Sequence, residues 1–117
     1  MAIPQFTKSP PALVARFDAA AARHPSATRR QMFGYPALFV GGNLATGLFA
    51  DTWMVRLGPA DLEALVALPG AGAFAPMPGR TMKGYATLPP DVVADDAALD
   101  AWLERAIAFA GSLPAKK

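Results

Sequence analysis

The sequence predicts an α+β fold: a two-layer sandwich, with an antiparallel five-stranded sheet and helices on one face, in the order α-β-β-β-α-β-β-α. Three observations lead to it. Apolar residues recur at helical spacing in a segment near each end of the chain and in one central segment. The stretch Arg29 to Leu57 reads as consecutive strands joined by tight turns, and tight turns demand antiparallel neighbours. The helical stripes then need a sheet face on which to bury themselves.

Met1 to Lys8 is expected as a loosely held arm, with residues 9–113 as the domain and 114–117 as a basic tail. Ser9 suits the N-cap of the first helix, and Pro10 and Pro11 are tolerated in its first turn. Leu13, Val14, Phe17, Ala20 and Ala21 form its apolar stripe, and Pro25 stops it after Arg23-His24. The first strand is expected from about Arg30 to Val40. Pro36 removes a ladder donor there, so a bulge or an edge position is expected around Gly34 to Pro36. Gly41-Gly42-Asn43 is a hairpin turn into a second strand, Leu44 to Ala50. Asp51-Thr52 turns into a third, where Trp53, Val55 and Leu57 share one face and Met54 and Arg56 the other.

Pro59 to about Leu68 is a short helix with Leu62, Leu65 and Val66 as its buried stripe; Asp61 and Glu63 complement the helix dipole in its first turn. Ala73 to Met77 and Met82 to Leu88 are the fourth and fifth strands. Asp91 to Ala94 is expected as one helical turn. The last helix starts at Asp95 or Asp96, either of which is a competent cap, and buries Leu99, Trp102, Leu103, Ala106, Ile107 and Ala110.

A chain of 117 residues fits one domain. It has no cysteine, which excludes disulfides, thiol catalysis and thiolate metal sites, and a reducing compartment is compatible with that. No apolar run reaches the roughly 18 residues of a membrane helix. The N-terminus lacks a basic region followed by a long apolar one. A cytoplasmic chain without membrane contact is the expectation. The pI of 9.3 reflects eleven lysines and arginines against nine acids. Lys116 and Lys117 supply that excess, so the body is charge-balanced and lacks the basic stripe of a dedicated DNA-binding domain.

Candidate chemistry is sparse. His24 is the single histidine and ends a helix, where the dipole favours it. Asp96, Asp100 and Glu104 make one helix stripe, read as a solvated face, since calcium needs six to eight oxygens converging on a point. No phosphate-loop frame surrounds the glycines. No cofactor, metal or catalytic residue is expected. Arg29 and Arg30, with Arg80 and Lys83, are the candidates for a partner or anion contact if they meet in space. Tyr35 and Tyr85 each follow a glycine on a strand and would make a small-ligand pocket if they met beside Arg80. Met32, Met54, Met77 and Met82 offer a plastic apolar surface. Met54 lies on the sheet face away from the helices, which is expected to be exposed unless a partner or a second copy in a homodimer covers it.

The segment Met32-Phe33-Gly34-Tyr35-Pro36, its apolar continuation to Gly41-Gly42-Asn43, and Gly47-Leu48-Phe49 resemble the TfoX/Sxy family, specifically its N-terminal domain. The resemblance continues through Phe74 to Tyr85, including Met77-Pro78-Gly79, and in Leu88-Pro89-Pro90; it spans roughly Leu13 to Leu113. It implies a sheet resembling that of type III secretion chaperones and a regulatory protein-interaction module rather than an enzyme. In the family's known regulators that role is assisting the cyclic AMP receptor protein at competence promoters, and a second, helical domain follows the first. The resemblance here implies the N-terminal domain standing alone, with transcription machinery as partner. The alternatives are a small-ligand or enzymatic protein using the Tyr35, Tyr85 and Arg80 pocket, and a weak nucleic-acid binder through its arginines.

Overall fold

The tight turns of the central stretch set the architecture. The computed structural model describes residues 9–32, 34–74 and 82–114. Among the described residues the elements run α1 (Pro11–Ala22), β1 (Thr28–Met32), β2 (Tyr35–Val40), β3 (Asn43–Phe49), β4 (Thr52–Arg56), α2 (Pro59–Val66), β5 (Gly72–Ala73), β6 (Tyr85–Thr87), α3 (Pro90–Ala94) and α4 (Asp96–Ser112). The six strands form one antiparallel sheet in the order β1-β2-β3-β4-β6-β5. The fold is α+β, with six strands rather than five. The expected arm, residues 115–117 of the tail, and Phe33, Met77, Pro78, Gly79 and Arg80 lie outside the described residues.

The extra strand comes from splitting the expected first one. Met32 pairs with Tyr35 and Arg30 with Ala37, so the chain reverses where a bulge was expected. Gly34 sits in that reversal at φ +84, a conformation open to glycine and strained for other residues. Pro36 is the second residue of β2, paired with Gln31 of β1 and ahead of the first β2–β3 pair at Ala37 and Gly47, so its missing amide hydrogen falls outside that ladder. The bulge lies further on: between Leu38 and Phe39 the register against β3 shifts by one residue, leaving Ala45 unpaired. Gly41 and Gly42, both at positive φ, make the two-residue turn that matches strand twist.

Three further expectations are corrected. Pro10, not Ser9, holds the N-cap position of α1, without a side-chain cap. Pro11 at N1 has no amide hydrogen to cap, and its preset φ starts the helix. Val66 of α2 is 41 % exposed, because that two-turn helix meets the core through Leu65, with Leu62 packed beside it. Met54 is buried within its own chain at 2 % exposure.

Two apolar clusters explain these burials. The first takes Phe17 and Ala20 from α1, Leu65 from α2, Val92 from α3, and Leu99, Leu103, Ala106 and Ala110 from α4; against them pack Leu38, Leu48, Trp53, Val55 and Ala86 of the sheet. Phe17 meets Trp53 with ring centroids 5.1 Å apart. The second gathers Ala37, Leu44, Met54 and Phe74, with Met32, Phe39, Phe49 and Tyr85 packed on it, and contains no helix residue among those described. From Ala37 to Val40 of β2 and along β4 the two sets alternate, while Tyr35 is counted with the first. No described helix is long and apolar enough to cross a membrane.

Candidate functional site

The second cluster surrounds a groove of about 340 Å³. Met54, Leu44 and Leu48 line it from the sheet, and small residues lie in register beside Met54: Ala37 pairs with Gly47, and Gly47 with Met54. A Cβ on Gly47 would lie 3.1 Å from Met54 Cε, 3.2 Å from Ala37 Cβ and 3.3 Å from the Pro36 carbonyl oxygen. Glycine there leaves room for the Met54 methyl, and Met54 lines the groove.

Larger side chains flank these residues. On one side the rings of Tyr35 and Phe49 are 5.3 Å apart, and Phe49 meets Phe74 edge-on at 5.8 Å. On the other, Phe39 pairs with Leu44 and Arg56 with Tyr85. Phe74 is fixed by its backbone. Its carbonyl accepts from the Met82 amide at 2.8 Å, and its amide donates to the Tyr85 carbonyl at 3.4 Å. These bonds tie the two ends of the β5–β6 connection to the groove.

One charge lies in the lining. The Arg56 guanidinium sits 5.6 Å from the Tyr85 ring centroid and 5.9 Å from that of Phe109, both within cation–π range. Burial pushes the Tyr85 phenol above its ordinary pKa, and the positive charge of Arg56 partly counters that.

The structure brings some of the candidates together and separates others. Tyr35, Tyr85 and Met32 all line the groove. Arg30 lies over the Phe39 ring at 6.0 Å, beside the groove. Arg29 points elsewhere: its Nε donates to Asp18 of α1 at 2.6 Å and Nη1 to Gln31 at 3.4 Å. Lys83 is exposed in the turn before β6, and Gly34 occupies the β1–β2 turn. Arg80 lies outside the described residues, so its distance from the tyrosines is not part of this geometry.

Sequence reasoning missed Arg56, Phe39, Leu44 and Phe74 as lining residues. The alternation in β4 was the available signal for Arg56, since it puts Arg56 on the same face as Met54. The β4–β6 register that brings Tyr85 beside it has no short-range signature.

In the acidic stripe Asp96 and Glu104 are exposed, as a solvated face requires, and Asp100 is the member drawn into contacts. Arg16 donates to Asp96 at 2.8 Å and to the Val93 carbonyl. Arg23 Nε reaches both oxygens of Asp100, at 3.0 and 2.9 Å, and His24 Nε2 lies 3.1 Å from Asp100 Oδ1. Burial would raise the Asp100 carboxyl, but the hydrogen bonds from Arg23 and His24 outweigh it and hold the group below the usual carboxylate range. His24 is 9 % exposed. With Arg23 it meets Asp100, a clamp joining the end of α1 to α4. No group of three metal-ligating side chains occurs among the described residues.

No curated protein and no solved structure matches the chain. The profile of the TfoX N-terminal domain matches residues 19–110. That span contains every lining residue of the groove. It covers more than three quarters of the 117 residues, and the chain belongs to the TfoX N-terminal domain family.

Proposed function

We propose that this chain is a regulatory protein-interaction module of the TfoX type, not an enzyme, acting in the cytoplasm to assist transcription in a competence-type circuit. The observation that carries the reading is the composition of the groove. Aromatic rings, methionines and one guanidinium offer adaptable apolar contact and a single charge, which suits recognition. The reading adopts a two-layer arrangement, with helices on one sheet face and the groove on the other, so that one face stabilises the fold while the other meets a partner. Direct nucleic-acid binding is disfavoured by the ion pairs Arg16–Asp96, Arg23–Asp100, Arg29–Asp18 and Arg105–Asp61, which already oppose four of the cations.

The test is capture of the purified cyclic AMP receptor protein and RNA polymerase on the immobilised chain, with nuclease present. Retention of either, reduced by Phe39→Glu at the groove, is the expected result. Retention of neither overturns the transcription reading.

A further inference from the structure

The groove combines three properties that together define a ligand. It is apolar over most of its lining, with Tyr35, Phe39, Phe49, Met54, Phe74 and Tyr85 contributing. At about 340 Å³ it lies at the small end of the roughly 300–1,000 Å³ typical of small-molecule sites. Among the described residues, its lining holds one cation and no acid.

Like Arg30 over the Phe39 ring, that cation has no ion pair among the described residues, and it is the one that lines the groove. Arg16, Arg23, Arg29 and Arg105 are each ion-paired. Arg56 is half-buried and has no hydrogen bond or carboxylate partner among the described residues; it is held by the rings of Tyr85 and Phe109 instead. A guanidinium fixed between rings keeps its planar N–H edge available, and that edge matches a carboxylate in two parallel hydrogen bonds. A phosphate monoester brings nearly twice the charge and would leave part of it unmatched by a single cation.

We infer that the groove is a binding site for a small amphipathic monocarboxylate, with a single ring or a short acyl chain as its body and Arg56 as the partner of its carboxylate. The body replaces water against Phe39, Leu44, Met54 and Phe74, where apolar burial provides the affinity. The Tyr85 phenol, which has no hydrogen-bond partner among the described residues, lies beside Arg56 as a second donor. This inference goes beyond the regulatory reading and concerns the purified chain alone, so its outcome is separate from that of the partner capture.

Octanoate and phenylacetate are the probes, with octanol and octylamine as matched neutral and cationic bodies. They are titrated into the full chain and followed by methyl and aromatic NMR shifts and by calorimetry. The expected result is saturable octanoate binding with shifts at Met54, Phe39 and Tyr85. Octanol should bind about tenfold or more weakly, the value of a charge-assisted hydrogen bond. Arg56→Gln should bring octanoate down to the affinity of octanol and leave octanol unchanged. Equal binding of all three octyl probes would overturn the inference, as would shifts confined to Leu13, Thr52 and Val93 in the open groove beside α1 and α3. So would the absence of saturable shifts up to about 10 mM probe, beyond which a specific site is not supported. Should Arg56→Gln fail to fold, octanoate against octanol on the wild-type chain decides the matter.

Discussion

Thr46→Val probes the sheet at its most buried polar point. The Thr46 hydroxyl donates to the Met54 carbonyl at 2.7 Å and accepts from Trp53 Nε1 at 2.9 Å. Thr46 is 0 % exposed and Trp53 2 %, so water does not replace a lost partner. Valine has nearly the same shape but leaves the indole N–H unpaired, which costs about 1–3 kcal/mol. The Met54 carbonyl loses one donor as well, while the added methyl recovers a little through apolar burial, up to about 0.8 kcal/mol. The net expectation is a loss of about 2 kcal/mol. An unfolding entropy of about 2.1 cal/mol/K per residue gives about 0.25 kcal/mol/K for a 117-residue chain, so Tm should fall by about 8 °C. Thr46→Ser keeps the hydroxyl and should lose less. Urea unfolding followed by far-ultraviolet circular dichroism measures these differences, and Thr46→Val/Trp53→Phe completes the cycle. The double variant should be less destabilised than the sum of the singles, because both partners leave together. A Thr46→Val midpoint within about 0.5 kcal/mol of wild type would show that the hydroxyl is not the indole's essential acceptor.

Other expectations follow from the same geometry. Asp100→Asn should cost about 1–2 kcal/mol at neutral pH by weakening the α1–α4 clamp, a modest figure because Arg23 is partly exposed. Since the folded Asp100 carboxyl lies below its ordinary value, its stabilisation is present above about pH 4 and is lost as pH falls through the depressed folded pKa. Urea midpoints measured across acidic pH should therefore fall less steeply in the variant than in wild type. Gly47→Ala should destabilise by about 1–2 kcal/mol, since the new methyl meets the Ala37 side chain and the Pro36 carbonyl, neither of which swings away; a thermal melt checks it. Asp95→Ala should cost about 1 kcal/mol because the Asp95 carboxylate accepts from the Ala97 and Ala98 amides at the start of α4. Asp96→Ala should cost less than Asp95→Ala in the same denaturation series, since Asp96 lies inside the helix and makes an exposed ion pair.

Much of the fold is legible because its signals are local. The α1 and α4 stripes, the Gly41-Gly42 turn and the two faces of β4 each depend on residues within a few positions of one another, where helix and strand periodicity act directly. The split of the first strand was the main misreading. Pro36 correctly argued against a regular central strand, yet Gly34 two residues earlier already permitted the reversal that makes Pro36 a partner of an edge strand. Either outcome satisfies the local chemistry, and only pairing of Arg30 with Ala37 selects one.

The groove and the clamp were hidden for a different reason. Tyr35 and Tyr85 were each visible, but what joins them is the β4–β6 pairing of residues far apart in sequence and the Phe74–Met82 bond. Asp100 read as a solvated acid because its own helix places it opposite the apolar stripe; the packing of α1 against α4 turned that side into a contact with Arg23 and His24. The sequence by itself determined the fold class, the α1 and α4 stripes and the family to which the chain is similar, since these rest on periodicity and short motifs. Tertiary structure alone decided which face Phe74 covers, that Arg56 has no carboxylate partner among the described residues, and that two tyrosines share a cavity. Those facts depend on long-range register, and no short window of sequence carries the free energy that sets it.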